Sequence, residues 1–376
     1  MSNLINVMSI FGTRPEAIKM APVILNLQAN PKFNSIVAVT AQHRDMLDQV
    51  LHLFDIHPDF DLDIMAPNQS LFDITSKALI GLQDVLNSTK PDIVLVHGDT
   101  TTSFAAALAA FYLHIPVAHV EAGLRTFDKY SPFPEEMNRK LTGSIADLHF
   151  SPTQNSRNNL IREGVNPENI FVTGNTVIDA LHKTVSENFS FDDSPLKDFD
   201  FSNKRLLLVT THRRENLGEP LRHVYKALKA LTQAFDDVEV VFPVHKNPKV
   251  RQVVNEELGG LEKIHLIDPL DYAPFANLMA RSTLILTDSG GLQEEAPALG
   301  KPVLVLRDTT ERPEALEAGT VKLVGTNSDT IFNTAKLLLS DSNEYLKMAE
   351  ASNPYGDGHA SERIVSTLIN HFAAIL

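Results

Sequence analysis

Short apolar runs alternate along the chain with longer segments in which apolar residues recur at helical spacing. The runs are rich in Val, Ile and Leu, and most are followed by Gly, Asp, His or Pro. Such runs are typical of strands buried on both faces of a parallel sheet. They form two series, residues 4–11, 36–40, 93–96 and 116–120, and then 206–210, 238–242, 264–267, 284–286 and 303–306.

Segments with helical spacing connect these runs, at residues 15–28, 101–113, 217–234 and 291–299. Regular alternation of strand and helix predicts parallel α/β layers. The chain has 376 residues, whereas a single hydrophobic core usually stops growing at about 250–300 residues. We therefore expect two doubly wound α/β domains.

The alternation pauses between residues 186 and 203, where Asp, Ser and Phe are frequent and no strand is evident. We place the domain boundary between residues 174 and 204, which gives domains at 1–174 and 175–358. The last segment, 359–376, has the pattern of an amphipathic helix. If two doubly wound domains face each other, a cleft lies at the carboxyl ends of both sheets, where ligands bind in such folds.

The composition narrows the possible functions. The net charge of −14 argues against a general nucleic-acid-binding surface, so an anionic ligand needs local basic residues. The absence of cysteine excludes disulfides and thiolate sites and is compatible with a reducing compartment. Residues 1–11 lack the basic start of a signal peptide, and no stretch approaches the about 20 apolar residues that span a bilayer. We expect a cytoplasmic protein that binds neither nucleic acid nor membrane.

Ionisable residues follow the predicted strands of the first series. Residues 11–17 read Phe-Gly-Thr-Arg-Pro-Glu-Ala, a strand end that opens a helix, where Arg14 and Lys19 could meet an anion. Asp99 and Glu121 each end a buried run, and Glu135 lies at a helix start after two prolines. Clustered carboxylates can shift one another's pKa and supply a general acid and a general base.

Each of these residues also has an ordinary structural interpretation. Arg14 could be a surface residue of a plain turn, and Asp99 could cap a helix. Glu121 could form a structural ion pair with Arg125, and Glu135 could interact with the dipole of a first helical turn. The sequence positions alone leave both interpretations open.

The second series ends in basic and glycine-rich loops. His212 and Arg213 follow one strand and His245 follows the next; they could hold a phosphate or form charged surface turns. Residues 287–296 read Thr-Asp-Ser-Gly-Gly-Leu-Gln-Glu-Glu-Ala. We expect the amides of this Ser-Gly-Gly turn to be free to bind a phosphate, and Glu295 to reach ribose hydroxyls.

Common metal and nucleophile motifs are missing from the sequence. The fourteen histidines form no His-Glu-x-x-His motif or other tight ligand spacing. There is no Walker A sequence and no Gly-x-Ser-x-Gly nucleophile elbow. We expect no metal and no cofactor.

Taken together, these motifs resemble the non-hydrolysing UDP-N-acetylglucosamine 2-epimerase family of bacteria. The match runs from Phe-Gly-Thr-Arg-Pro-Glu at 11–16 to Asn-Pro-Tyr-Gly-Asp-Gly at 353–358. The joint order of the motifs is specific, although each motif alone is not. The resemblance implies a GT-B fold of two Rossmann-like domains, with helix 359–376 packing back on the first domain. It also implies a homodimer whose ligands are UDP-GlcNAc, UDP-ManNAc and UDP.

The resemblance assigns residues to three groups. Catalytic or substrate-contact positions are matched by Arg14, Lys19, Asp99, Glu121, Glu135 and His212. UDP-binding positions are matched by Leu270, Phe275, Ser289, Gly290, Gly291, Glu295 and Arg312. An activator site that binds UDP-GlcNAc in some relatives is matched in part by Gln42, His43, Arg213 and His245. Asp45 stands where some relatives carry Gln or Glu, so control by an activator stays open.

The chemistry that the resemblance implies is elimination of UDP to form 2-acetamidoglucal, followed by re-addition with the opposite configuration at carbon 2. The UDP-ManNAc formed in this way typically feeds bacterial surface polysaccharide. Three alternatives share parts of this pattern: a GT-B glycosyltransferase that uses a UDP-sugar donor, a hydrolysing epimerase that releases free ManNAc, and a nucleotide-sugar sensor without chemistry.

Overall fold

The computed structural model describes residues 4–41, 44–213, 216 and 218–373. The strands are β1 (Ile5–Phe11), β2 (Phe33–Val39), β3 (Phe60–Asp61), β4 (Ile93–His97), β5 (Val117–Val120), β6 (Leu148–Ser151), β7 (Ile170–Val172), β8 (Arg205–Thr210), β9 (Val238–Pro243), β10 (Ile264–Ile267), β11 (Leu284–Thr287), β12 (Val303–Val305) and β13 (Val321–Leu323).

The α-helices connect these strands and follow the last one. They are α1 (Arg14–Gln28), α2 (Arg44–Leu53), α3 (Leu71–Thr89), α4 (Thr101–Tyr112), α5 (Glu135–Ile145), α6 (Gln154–Arg162), α7 (Thr176–Thr184), α8 (Glu219–Ala234), α9 (Pro248–Leu258), α10 (Tyr272–Arg281), α11 (Leu292–Ala298), α12 (Pro313–Ala318), α13 (Ser328–Ser340), α14 (Ser342–Ala349) and α15 (Ala360–Ala373). No described helix is long and apolar enough to cross a membrane.

The chain divides into two compact units. Unit 1 contains Met1–His182 and Tyr355–Leu376, and unit 2 contains Lys183–Pro354. Each unit has one parallel sheet, so two Rossmann-like α/β domains are confirmed. The first boundary falls inside the predicted range of 174–204.

The sheet of unit 1 has seven strands in the order β3-β2-β1-β4-β5-β6-β7. Strand order reverses direction between β1 and β4, where Ile10 pairs with Val96. These central strands are buried on both faces because helices cover both sides, which explains their continuous apolar runs. The carboxyl ends of β1, β4 and β5 therefore lie side by side, at the switch point where doubly wound folds bind ligands.

The sheet of unit 2 has six strands in the order β10-β9-β8-β11-β12-β13. Here the switch point lies between β8 and β11, where Thr210 pairs with Thr287. Leu207, Val209 and Leu286 are fully buried in the core of this unit, together with side chains of α8 and α13. The loops after β8 and β11 thus leave the sheet next to each other.

The end of the chain belongs to unit 1. Asp179 in α7 is 2% exposed and accepts hydrogen bonds from the amides of Ala360 and Ser361 at the start of α15. The Asn175 amide donates to the Tyr355 carbonyl at 2.6 Å. Residues 175–182 and 355–358, which the sequence assigns to the second domain, thus lie in unit 1, because these buried contacts join α7 to α15.

The segment at 186–203, which has no helix or strand, is ordered by aromatic packing within unit 2. The rings of Phe191 and Phe201 stack at a centroid distance of 4.9 Å, and the Arg281 guanidinium lies 4.9 and 5.0 Å from their centroids. Such cation–π contacts between a planar cation and ring faces are favourable. The phenylalanines of this segment therefore attach it to α10.

Candidate functional site

Glu121 occupies an unusual backbone position directly after β5. Its φ of +61° lies in the left-handed region, which is uncommon for residues other than glycine and is often found at functional sites. Its side chain is 8% exposed and receives the Lys19 ammonium at 2.5 Å and the Asn175 amide nitrogen at 2.8 Å. Lys19 and Glu121 thus form an ion pair within unit 1.

This pairing decides one of the alternatives for Glu121. The structural ion pair between Glu121 and Arg125 is not formed, because the Arg125 guanidinium lies 2.7 Å from Glu163. Lys19 forms an ion pair with a carboxylate of its own unit. Arg14, about one turn earlier, has no hydrogen bond or ion pair within the described part of the chain. Arg14 is half-buried at the start of α1 and is the better placed of the two for a ligand anion.

His97 is a buried neighbour of Glu121, and burial favours the neutral form of its imidazole. Its Nε2 atom is 3.8 Å from Glu121 Oε2 and has no hydrogen-bond partner among the described residues. Burial lowers the pKa of His97 to about 4, although the neighbouring Glu121 carboxylate raises it in part. A neutral imidazole beside the carboxylate adds no further charge to this position.

Asp99 is held by an arginine and does not cap the following helix. Its carboxylate lies 2.7 Å from Arg139 Nη2 and 2.9 Å from Arg139 Nε. The N-cap of α4 is Thr100, whose hydroxyl accepts from the Ser103 amide at 3.1 Å. The interpretation of Asp99 as a helix cap is therefore wrong, because the next residue fills that role.

Glu135 and its neighbour Glu136 have different environments at the start of α5. Glu136 is 4% exposed and accepts from the amides of Thr126 and Phe127 and from Arg139 Nη1, each at 3.0 Å. Glu135 is half-buried, and the described part of the chain offers it no hydrogen bond or ion pair. Because Arg139 also binds Asp99, the start of α5 is tied to the end of β4, and Glu135 is available for a ligand.

Two glycines let these loops approach one another. A Cβ atom on Gly12 would lie 2.1 Å from the Thr40 hydroxyl and 2.6 Å from the Thr102 hydroxyl. Gly98 has a φ of +65°, and a Cβ atom there would lie 3.5 Å from Glu121 Oε1. Only glycine fits both positions without strain, and the second contact shows that the Glu121 carboxylate lies beside the loop that carries Asp99.

In unit 2, a buried carboxylate that the sequence does not single out orients His212. Asp288 is fully buried and accepts the amides of His212 and Arg213 at 3.0 Å and Asn216 Nδ2 at 3.1 Å. Its Oδ1 atom lies 3.0 Å from His212 Nδ1. Burial alone would raise the pKa of Asp288, but the hydrogen bonds from His212 and Arg213 outweigh it and lower the pKa. Only the strand-end position of Asp288 signals this role in the sequence.

The Ser-Gly-Gly turn after β11 differs from the prediction in one respect. The Ser289 amide donates to the Thr287 hydroxyl at 2.9 Å and is not available to a phosphate. The amides of Gly290 and Gly291 make no hydrogen bond within the described residues. The expectation that the Ser289 amide is free is therefore wrong, because the preceding strand residue supplies a nearer acceptor.

The basic residues around this turn are partly neutralised. Arg312 Nε forms an ion pair with Glu294, which is 4% exposed. Glu311 lies 3.4 Å from Arg307 and 3.9 Å from Arg213. The sequence does not single out Glu294 or Glu311, the carboxylates that contact these arginines.

The predicted nucleoside-binding residues lie on or next to α10 and α11. Phe275 and Leu270 are half-buried, and Glu295 lies in the first turn of α11. The Tyr272 hydroxyl is buried with no hydrogen-bond partner among the described residues. Burial, together with the charge of Glu295, raises the pKa of Tyr272 well above its usual range, so the phenol keeps its proton as a donor.

Of the four predicted activator-site residues, two are described. The exposed His245 stacks on His212 with ring centroids 6.1 Å apart, and Arg213 lies beside His212 in the same loop. Gln42 and His43 lie outside the described residues. Within the described ranges, no group of three or more His, Asp or Glu side chains is arranged to hold a metal ion.

Comparison with known proteins assigns these features to a family. The family model described as UDP-N-acetylglucosamine 2-epimerase matches residues 25–369. The UDP-N-acetylglucosamine 2-epimerase of Bacillus subtilis is 58% identical over 368 residues, covering 98% of this chain and 96% of that protein. The corresponding Escherichia coli protein is 56% identical over 373 residues, with coverage of 97% and 98%.

A solved structure agrees with these sequence matches. The UDP-GlcNAc 2-epimerase from Neisseria meningitidis bound to UDP-GlcNAc aligns with a TM-score of 0.86 and 52% identity, covering 97% of this chain and 100% of that chain. The fold and the motifs therefore agree with the sequence relationship over nearly the whole length. The chain belongs to the UDP-N-acetylglucosamine 2-epimerase family.

Proposed function

We propose that the protein catalyses the reversible epimerisation of UDP-GlcNAc to UDP-ManNAc at carbon 2 of the sugar. The observation that carries this proposal is the set of carboxylates of unit 1, Asp99, Glu121 and Glu135, at the ends of β4 and β5 and the start of α5. A sensor would need to bind the nucleotide sugar but would not need three such groups. The Neisseria relative, 52% identical, is solved with UDP-GlcNAc bound.

The nucleotide-binding groups in this proposal come from unit 2. The Gly290 and Gly291 amides donate to the diphosphate, with the Ser289 side chain beside them, and Arg312 adds positive charge. Glu295 accepts from the ribose hydroxyls, as acidic residues do in other nucleotide-binding folds. Phe275 and Leu270 supply apolar contacts for the base.

The sugar chemistry in this proposal uses groups of unit 1. The carbon-2 proton of the sugar is only weakly acidic, so direct inversion is difficult. A base removes this proton as the bond between carbon 1 and the diphosphate oxygen breaks, which gives 2-acetamidoglucal and UDP. Re-addition of UDP, with proton return to the opposite face of carbon 2, completes the epimerisation. Asp99, Glu121 and Glu135 provide the base and the acid.

Stabilisation of the departing UDP is the second requirement. Negative charge accumulates on the diphosphate as the bond to carbon 1 breaks, so donors that are already oriented lower the barrier. Arg14 and His212 are proposed for this role, and the Asp288 carboxylate holds the His212 ring in one orientation. The reaction involves no net oxidation, so no redox cofactor is required.

We further propose a cytoplasmic homodimer that supplies UDP-ManNAc for surface polysaccharide. The α3 and α4 helices of unit 1, which pack on each other, expose apolar side chains that a second copy could cover. Phe72 is 87% exposed, Ile80 66%, Phe111 58% and Tyr112 62%. Sedimentation velocity tests the dimer: Phe111→Lys should shift the protein towards monomer, whereas the same change at Leu346, 44% exposed in unit 2, should not.

Proton NMR with UDP-GlcNAc in heavy water, without acceptor or added metal, tests the reaction. UDP-ManNAc that carries deuterium at carbon 2 is the expected product, because the proton exchanges with solvent at the glucal stage. Free ManNAc would indicate a hydrolysing epimerase. Unchanged substrate, with UDP binding verified by calorimetry, would contradict the proposal and favour a glycosyltransferase or a sensor.

A further inference from the structure

Glu16 is a buried carboxyl group for which the proposed reaction has no direct use. It lies in the first turn of α1 and is 2% exposed. Its Oε2 atom accepts from the Gly12 amide at 3.1 Å and from the amide and hydroxyl of Thr13 at 2.8 Å. Its Oε1 atom lies 2.7 Å from the Thr100 hydroxyl and 2.8 Å from the Ser103 hydroxyl.

If Glu16 is ionised, the oxygen atoms around its Oε1 atom carry too few protons to form a hydrogen bond at every contact. Ser103 Oγ also lies 2.6 Å from the carbonyl oxygen of His97. Three short oxygen–oxygen contacts therefore connect Glu16, Thr100, Ser103 and the His97 carbonyl. Each hydroxyl has one proton, and a carbonyl or an ionised carboxylate has none to donate. An ionised Glu16 would leave one of the three contacts without a hydrogen.

We infer that Glu16 is protonated on Oε1 and acts as a neutral positioning residue for the active site. The carboxyl O–H donates to Ser103 Oγ, the Ser103 hydroxyl donates to the His97 carbonyl, and the Thr100 hydroxyl donates to Oε1, so each of the three short contacts contains one hydrogen. The two hydroxyl oxygens lie farther apart, at 3.2 Å, and share no hydrogen in this arrangement. Burial raises the pKa of Glu16, and the hydrogen bonds from Thr100, Thr13, Gly12 and Ser103 offset this only in part.

The position of Glu16 explains what the neutral group does. It joins the loop after β1 to the start of α4, and the residues next to its partners are Arg14 and Asp99. Glu16 thus sets the distance between Arg14, which is proposed to bind the diphosphate, and Asp99, which is proposed to be catalytic. This part of the inference rests on the proposed function. A neutral carboxyl group can do so without repelling the diphosphate, whereas a buried negative charge there would act against anion binding.

Glu136 is a matched control with the opposite chemistry. It is also a buried glutamate of unit 1, at 4% exposed, but its partners are two backbone amides and an arginine, which can only donate. Glutamine at position 136 would place an NH₂ group against one of these donors. Glutamine at position 16 can donate to the hydroxyls of Thr100 and Ser103, which can turn to accept.

The experiment compares Glu16→Gln, Glu16→Asp and Glu136→Gln in the full chain. The infrared difference spectrum of wild type minus Glu16→Gln at neutral pH should show the C=O band of a protonated carboxyl group, and the Glu136→Gln difference should not. Glu16→Gln should melt near the wild type, whereas Glu136→Gln should melt several degrees lower, because a buried donor loses its acceptor.

Turnover of UDP-GlcNAc tests the positioning role. Glu16→Gln should retain most of kcat, while Glu16→Asp, which is shorter by one methylene, should lower kcat by about 100-fold with little change in KM, as expected when catalytic groups are misplaced by about 1 Å. Absence of the carboxyl band, with Glu16→Gln as destabilised as Glu136→Gln, would overturn the inference. A band in a protein that does not turn over UDP-GlcNAc would refute the proposed function alone.

Discussion

Asp288→Asn is the substitution that most directly tests how unit 2 prepares His212. All partners of this carboxylate donate N–H groups: the amides of His212 and Arg213, the Asn216 side chain and His212 Nδ1. Three of the contacts converge on Oδ2, so an asparagine must keep its oxygen there. Its NH₂ group then faces His212 Nδ1, which has to lose its hydrogen and accept.

This change reverses the His212 tautomer, so that Nε2 carries the hydrogen and the ring no longer has a negative partner for its charged form. His212 is proposed to stabilise the charge on the departing diphosphate. Loss of one such preorganised group typically lowers kcat by about 10²–10³-fold, and we expect a fall of that order. The backbone and Asn216 donors also lose a charged acceptor, and the weakening of their hydrogen bonds costs about 1.5–3 kcal/mol in total. For a unit of this size, that corresponds to a melting temperature lower by about 3–12 °C.

Steady-state turnover, with UDP-GlcNAc and UDP-ManNAc separated by anion-exchange chromatography, measures kcat and KM. Asn216→Ala is the matched control, because it removes a donor from the same carboxylate and a bond to the Leu306 carbonyl but leaves the His212 contact intact. It should lose stability without a comparable loss of kcat. Equal losses of kcat in both variants, or normal turnover by Asp288→Asn, would refute the role given to the pair.

Three further predictions concern unit 1. Gly12→Ala should cost about 1–3 kcal/mol of stability, because a Cβ atom would lie 2.1 Å from the Thr40 hydroxyl; calorimetry would show a lower melting temperature. Asp179→Asn should increase amide hydrogen exchange at the start of α15, because the buried carboxylate accepts from the Ser361 amide at 2.7 Å; unchanged protection would contradict this. Three neighbouring strands carry histidines whose pKa burial lowers to about 4, about 3 and about 4, namely His97, His119 and His149. As the pH falls, the unfolded chain binds protons at these histidines before the folded protein does. The free energy of unfolding should therefore be largest above a pH of about 6.5 and should decrease towards pH 4, by up to about 1.4 kcal/mol per pH unit for each histidine. A melting temperature that does not depend on pH over this range would contradict the prediction.

The architecture could be read from the sequence because burial leaves a strong pattern. Strands covered by helices on both faces become continuous apolar runs, and the runs that become β1, β4, β8 and β11 are evident for that reason. The edge strands β3 and β7 have only two and three residues and escape this criterion. The division of the chain also depends on tertiary contacts: α7 lies in unit 1 because Asp179 joins it to the start of α15 through buried hydrogen bonds between distant parts of the chain.

The sequence indicates many of the residues of the candidate site, but it does not indicate which residues they contact. Strand-end positions indicate Asp99, Glu121 and His212, since parallel strands bring their carboxyl ends to one edge. The partners of these residues are distant in the sequence: Asp99 binds Arg139, 40 residues later, and Glu121 binds Lys19, 102 residues earlier. No local pattern encodes such pairs.

The sequence by itself thus determined the class of fold, the two series of strands and the loops in which the functional side chains lie, because apolar periodicity and glycine turns are local properties. Only the tertiary structure decided which donors and acceptors are already occupied. The Ser289 amide donates to Thr287, Thr100 and not Asp99 caps α4, and Asp288 orients His212. The physical reason is that a buried polar group must find a partner, and which partner it finds depends on distances that exist only once the chain has folded.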